Sequence, residues 1–365
     1  MKKKRIQNKN WRKVKLGDVA RFYYGKMPNR ERLNIGGIYP VYTGYQNVGY
    51  YNEYNSDGDL IVVARGVGGT GDIKISPAKS FVTNLSIVIK LDQKLVDKNY
   101  LFYKFNRGLR YLDSGSAQSQ ITISDLEKIN IELPSLIVQQ KLAKILSGFD
   151  DKIELNNKIN QNLEQTAQAI LNDTGLFNKF GADKLGDLMV QRKEKFKKYE
   201  DWKDLKLLDL GRFPQKSLAI TSYGIGGEIK TSGVRFKKWD ILFGAVRPYF
   251  HKVVIAPFDG VTNSSVFVIC PKEESHGSLL ITTLFSENVI NYASMSASGT
   301  KMPVIKWEDL CNMKLSIPGE KIIDNFNNVI RPFYNIIIKN VEENEKLASL
   351  RDLLLPKLMS GEIKV

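Results

Sequence analysis

The chain repeats itself, and that repetition limits it to an architecture of two equivalent halves before any single motif is weighed. Gly115-Ser116, Ile121, Asp125-Leu126 and Pro134 recur as Gly299-Thr300, Ile305, Asp309-Leu310 and Pro318, all at an offset of 184 residues and without a gap. Upstream, Trp11, Val14, Leu16 and Asp18 align with Trp202, Leu205, Leu207 and Asp209 at an offset of 191, so small insertions lie between. Leu185-Gly186-Asp187 is a competing counterpart of Leu16-Gly17-Asp18 and leaves the start of the second half open by about twenty residues. Asp59-Leu60-Ile61 leading to Arg65 matches Asp240-Ile241-Leu242 leading to Arg247, and Thr83-Asn84 matches Thr262-Asn263. The runs that follow are β-branched and read as strands.

Each half closes on a segment of different character. Leu142, Leu146, Phe149, Ile153, Asn156, Asn160, Leu163, Ala167 and Ile170 step by four and three, the heptad seam of a coiled coil. The same positions recur as Phe326, Ile330, Phe333, Ile337, Asn340, Asn344, Leu347, Arg351 and Leu354. Polar seam residues cost stability and fix register, so asparagines at equivalent places predict that the two helices pack on each other. Pro332 removes one helix hydrogen bond and predicts a kink, and Gly148 weakens the first helix. A continuous helix over residues 136 to 170 is about 50 Å long, which exceeds the roughly 34 Å of one DNA turn.

The predicted organisation is a strand-rich domain over 1–135, a helix over 136–172, a second strand-rich domain over 173–318, a helix over 319–355 and a tail over 356–365. A length of 365 residues accommodates two such domains, each with its own core. A net charge of +15 and a pI near 9.5 point to a polyanionic partner, because basic surfaces gain affinity by releasing phosphate counterions. Lys2-Lys3-Lys4-Arg5 has no apolar segment behind it and does not read as a signal peptide, and no run of about 18 apolar residues is present to span a membrane. Cys270 and Cys311, with His251 and His276, have no metal-ligand spacing. Free thiols of this kind predict a cytoplasmic chain without disulfides, metal or bound cofactor.

Catalytic signatures are missing: no GxSxG elbow, no HExxH, no paired-carboxylate core, and no Pro-Pro dipeptide of the kind carried by base-amino methyltransferases. Gly66-Val67-Gly68-Gly69-Thr70-Gly71 satisfies GxGxxG after a strand-like run, the one opening for a nucleotide-dependent enzyme. A dinucleotide turn must open a helix, whereas Asp72 to Ser76 alternates like a strand and stops at Pro77, which predicts a hairpin or backbone-approach loop.

The strand-rich halves interleave aromatic, amide and basic residues in Gly-rich loops. In the first these are Tyr23, Lys26, Arg30, Arg32, Tyr45, Gln46, Asn47, Arg65, Lys74, Gln118 and Gln120. In the second they are Lys216, Tyr223, Lys230, Arg235, Lys237, Arg247, Tyr249, Lys252 and Lys301. Arginine and amides read base edges bidentately while lysines mostly hold phosphates, so the set predicts DNA contact, either sequence-specific or that of a non-specific coiled-coil scaffold.

Taken in order and twice over, these features resemble the specificity subunit of type I restriction-modification systems. The resemblance rests on Trp11 with Leu16-Gly17-Asp18, the stretch Gly115 to Ile121, Asp125-Leu126 before Pro134, Gln139-Gln140-Lys141 to Ile153, and the ending Leu355-Pro356-Lys357-Leu358-Met359-Ser360-Gly361-Glu362-Ile363. It implies an α+β fold of two pseudo-twofold-related target recognition domains separated by two helices pairing as an antiparallel coiled coil. It implies that each domain reads one half of a split, asymmetric DNA site. It also implies two partner adenine methyltransferase subunits holding S-adenosylmethionine, and often a translocating nuclease subunit, with no catalysis in this chain. The second half departs from the pattern where Gln118-Ser119-Gln120 becomes Met302-Pro303-Val304, with fewer base-reading amides.

Overall fold

The computed structural model describes the chain except residues 1–10, 45, 67–68, 106–107, 114–118, 177–180, 197–200 and 230–232. It forms two compact units, Met1–Asp150 with Leu350–Val365, and Asp151–Ser349.

In the first unit β1 (Arg12–Lys15) pairs antiparallel with β9 (Asn130–Leu133). The main sheet has the order β2 (Ala20–Tyr24), β8 (Ser86–Leu91), β5 (Leu60–Val63), β6 (Ile73–Ile75). Leu60 to Val63 is buried on both faces, which is why it reads as an unbroken apolar run rather than an alternating one. A smaller sheet places β3 (Tyr39–Thr43) between β4 (Gln46–Tyr51) and the parallel strand β7 (Phe81–Val82). Helix α1 (Lys98–Lys104) begins where the Asp97 carboxylate accepts from the Tyr100 amide at 2.8 Å. Helix α2 (Ile123–Glu127) begins at a reciprocal capping box between Thr122 and Asp125, and those hydrogen bonds hold the Asp125 carboxyl below its ordinary pKa.

The second unit repeats this order. β10 (Asp183–Lys184) pairs with β19 (Lys314–Leu315), and a sheet runs β11 (Met189–Gln191), β18 (Val266–Pro271), β15 (Ile241–Gly244), β16 (Val253–Ile255). Its smaller sheet runs β13 (Gly224–Ile225), β12 (Lys206–Leu207), β17 (Gly260–Thr262), β14 (Val234–Phe236). Helices α4 (Gly277–Leu284), α5 (Glu287–Ser296) and α6 (Trp307–Cys311) follow.

The repeat decides between the two sequence alignments. Leu16–Asp18 and Leu185–Asp187 are both 3-10 turns directly after the first strand of their unit. In each, the aspartate accepts from the amide three residues back, Lys15 at 3.1 Å and Lys184 at 2.8 Å. The leucine amide of each turn donates to a carbonyl just before the last strand, Leu16 to Ile129 and Leu185 to Met313. Leu185-Gly186-Asp187 is therefore the counterpart, and the alignment through Trp202 and Leu207 is corrected. Trp202 packs in a separate small cluster with Leu207, Ile229 and Val261, on a different sheet. The residues that recur at the constant offset are scaffold: Ile121, Leu126, Ile305 and Leu310 are fully buried.

Two long helices complete the fold, α3 (Leu136–Asn172) and α7 (Glu320–Met359), the latter continuous through Pro332 and Pro356. Gln139, wholly buried near the start of α3, accepts from the Asp97 amide and donates to the carbonyls of Leu95 and Pro134, so its amide is satisfied three times. The first unit's core takes Leu142 and Leu146 from α3 and Leu355, Leu358 and Met359 from α7. There Arg351 pairs with Asp150, whose carboxylate also accepts from the Tyr103 hydroxyl at 2.5 Å. The second unit's core takes Ala167 and Leu171 with Ile323, Phe326, Ile330, Tyr334 and Ile337, while Leu163 and Phe333 pack partly buried against it. Phe149, Ile153 and Leu347 are half-buried. Asn156 donates to Asn344 at 2.9 Å and Asn340 donates to Asn160 at 2.8 Å, so partners descend in one helix as they rise in the other and the helices run antiparallel.

Two predictions follow from this packing. In Asn340→Leu the buried Asn160 side-chain oxygen loses its donor and the second unit is destabilised by about 1–3 kcal/mol, whereas Asn160→Leu with Asn340→Leu recovers most of that loss, measured by chemical denaturation as a double-mutant cycle. The second concerns Glu164, buried on α3, which accepts from Ser217 Oγ and the Leu218 amide. Burial outweighs those bonds and pushes its pKa up from 4.5 to about 7. An acid whose pKa is raised on folding stabilises the native state while protonated, so stability falls as pH rises from about 4.5 to about 7. The loss is on the order of 3 kcal/mol. Thermal melts across that window should show the fall, and Glu164→Gln should flatten it.

Candidate nucleic-acid interface

In both units the central strand of the main sheet runs out into a loop that meets the segment just before the last small helix. In the first unit the Ile121 amide donates to the Ala64 carbonyl at 2.8 Å, and Arg65 forms a β-bridge with Gln120. In the second the Ile305 amide donates to the Ala245 carbonyl at 3.0 Å, and Val246 forms the bridge with Val304. The same backbone junction thus brings two loops together in each unit, and different side chains line it.

In the first junction Arg65 is exposed, with one guanidinium nitrogen 3.5 Å from the Asn84 carbonyl. Gln120 is half-buried, and its amide donates to Asp113, which also accepts from the Ser119 hydroxyl. Gln118, with most of the Gly115 to Ile121 stretch, lies outside the described residues, as do Tyr45 and Lys230. The Gly66 to Gly71 loop, of which Val67 and Gly68 are also outside, joins β5 to its antiparallel neighbour β6, so it opens no helix. Gly71 has a φ of +89°, and a Cβ there would lie 2.5 Å from the Arg110 amide nitrogen, so backbone approach explains this glycine.

The second junction is built on strain. Arg247 and His251 both hold left-handed backbone, at φ 50° and 51°, on either side of a turn over Pro248–Phe250. The Arg247 amide donates to Pro303 at 2.7 Å and its guanidinium to the Lys301 carbonyl at 3.1 Å, which lays the side chain along the 301–304 loop. Its Nε is buried without a partner. His251 is buried on Phe285, its Nε2 2.9 Å from that residue's carbonyl, and burial lowers its pKa. The turn leaves Tyr249 exposed beside Arg247, and Lys301 is exposed as well. Because Arg247 follows the bridging residue whereas Arg65 is the bridging residue, the two arginines are one position out of step.

The remaining residues of the sequence set differ in their surroundings. Lys26, Arg30, Arg32, Gln46, Asn47, Lys74 and Lys237 are exposed. Others are engaged within the chain: Tyr23 donates to the Asn55 carbonyl and burial pushes its pKa up to about 12, Lys216 pairs with Glu287, Arg235 pairs with Glu194 and stacks on Phe196, and Lys252 bonds the Leu210 carbonyl. Tyr223 donates to Glu345 of α7 at 2.5 Å and lies under Lys206, which pairs with the same carboxylate. The acidic stretch Glu342 to Glu345 is the signal for this docking, and Lys238 pairs with Glu342. Arg192, Asp240 and Cys270 form a further cluster not anticipated from sequence; Arg192 grips Asp240 at 2.7 and 3.1 Å, and burial pushes the Cys270 thiol up to about 12.

Residues 8–165 match the family described as the type I restriction modification DNA specificity domain. Over 98% of its length the chain is 24% identical to the type I restriction enzyme MjaIX specificity subunit of Methanocaldococcus jannaschii, of which it covers 94%. It is 21% identical over 85% of its length to the EcoDI specificity subunit of Escherichia coli, covering 78% of that protein. Along nearly its whole length the chain is thus similar to type I restriction-modification specificity subunits. The fold agrees with the crystal structure of the S subunit from M. genitalium, with a TM-score of 0.62 at 17% identity over 96% of each chain. Among the described residues, no helix is long and apolar enough to cross a membrane.

Proposed function

We propose that this chain is a type I restriction-modification specificity subunit that reads a bipartite, asymmetric DNA site, one half through each unit, and directs partner adenine methyltransferase subunits, and a restriction subunit where one is present, to it. The observation that carries this reading is the loop junction repeated at equivalent places with different side chains, Arg65 with Gln120 in one unit and Arg247 with Lys301 in the other. Identical readers give a palindrome, whereas one scaffold with two different reading edges gives unlike half-sites. The net charge of +15 suits a phosphate backbone. On this reading residues 1–135 and 173–318 are the target recognition domains, and the helices over 136–172 and 319–355 carry the partners. Ile322, Val329 and Ile336 support the last point: they recur every seven residues on α7, are exposed, and lie off the seam that faces α3. S-adenosylmethionine belongs to the methyltransferase subunits and the complex to the cytoplasm.

Arg65→Ala and Arg247→Ala should each relax base choice in one half-site only, by about 1–3 kcal/mol of discrimination, in competition binding with singly altered duplexes. Equal loss on every duplex would reassign that arginine to a phosphate. For the whole reading, the subunit is co-expressed with its methyltransferase and methylated adenines are mapped by single-molecule sequencing. One split, asymmetric motif that vanishes without this chain is the expected result. An assembled complex that methylates without a motif would make the chain a non-specific scaffold.

A further inference from the structure

Away from both loop junctions, three side chains of the second unit converge where α7 begins. Glu273 immediately precedes a 3-10 turn over Glu274–His276, His276 ends that turn and leads into α4, and Glu320 is the first residue of α7. The His276 side chain is 8% exposed, and its Nε2 is buried with no hydrogen-bond partner. That nitrogen faces two carboxylates, with Glu320 Oε2 at 3.5 Å and Glu273 Oε2 at 3.7 Å. A direct N–H···O bond spans about 2.7–3.2 Å, so neither carboxylate makes one.

The separations have another meaning. A tetrahedral zinc ion with nitrogen and oxygen ligands about 2.0–2.2 Å away holds those ligands about 3.3–3.5 Å from each other. The two His–Glu distances lie at or just beyond that edge, and all three ligand atoms lie within 4.8 Å of one another. We propose that Glu273, His276 and Glu320 form a binding site for one divalent transition-metal ion, zinc above all. An imidazole ligand favours zinc over magnesium or calcium, which prefer oxygen alone. The two carboxylates neutralise the ion's charge, and their exposure of 64% and 70% gives it a route in and room for water as the remaining ligand. The frame is already set by neighbouring contacts between the same segments: the Ser278 amide donates to Asn327 of α7 at 3.2 Å, and Arg331 of α7 lies 3.4 Å from Glu274. A bound ion ties the start of α4 to the first turn of α7 and stabilises the second unit, because it binds the folded chain only.

The test uses the full-length, metal-free chain titrated with Co2+ as a spectroscopic stand-in for zinc, followed by displacement with Zn2+ and by thermal melts. Saturation at one ion per chain, with visible bands of a low-coordinate site and a rise in Tm, is the expected result. His276→Gln and Glu320→Gln each weaken binding by at least about tenfold, since even outer partners of metal ligands cost that much, whereas Cys270→Ser and Cys311→Ser leave it unchanged. If either substitution compromises folding, Glu273→Gln, at an exposed surface position, gives the same reading. Absence of saturable binding, binding that survives in His276→Gln with Glu320→Gln, or binding that follows the cysteines would overturn the site and leave an ion pair only.

Discussion

The antiparallel register of α3 and α7, set within the second unit by hydrogen bonds between Asn156 and Asn344 and between Asn160 and Asn340, aligns the contacts that both helices make with the rest of that unit. A polar seam residue favours one alignment, because a slip of one heptad places Asn160 against Phe333 or Leu347 instead of Asn340. With the register fixed, Glu164 of α3 meets the Leu218 amide, Tyr334 of α7 meets Thr282, and Glu345 meets Lys206 and Tyr223. The strand-rich part of the unit is thus fastened to the helices by polar contacts at its edges and by a shared apolar core.

The repeated topology separates scaffold from reading edge. Main-chain hydrogen bonds build the junction, from Ile121 to Ala64 and from Ile305 to Ala245, while the side chains beyond it are free to differ. The residues whose recurrence reveals the duplication are the ones that fold it: buried Ile121, Leu126, Ile305 and Leu310, and the aspartates that cap the 3-10 turns. Of the two junctions, the second is where left-handed non-glycine backbone occurs among the described residues, with Arg247 and His251 framing the exposed Tyr249. Several basic residues that sequence composition offers to DNA hold partners inside the chain instead. Lys216, Arg235 and Lys252 are examples, and their carboxylate or carbonyl partners lie between 41 and 71 residues away or on another strand, where no local pattern reveals them.

The sequence by itself determined the α+β class, the duplication and the helical seam, because heptad spacing and apolar runs are local consequences of helix and strand periodicity. It determined that the Gly66 to Gly71 loop turns back into a strand, since alternation and a proline follow it directly. Only the tertiary structure decided that Leu185-Gly186-Asp187 is the counterpart of Leu16-Gly17-Asp18, because both turns answer to a carbonyl more than a hundred residues further along the chain. It alone decided that Asn156 faces Asn344 and not its own equivalent Asn340, since pairing in an antiparallel seam reverses sequence order. Likewise it brought Glu320 to His276 across 44 residues. Spacing along a chain predicts neighbours only within one element, and these sites are made where elements meet.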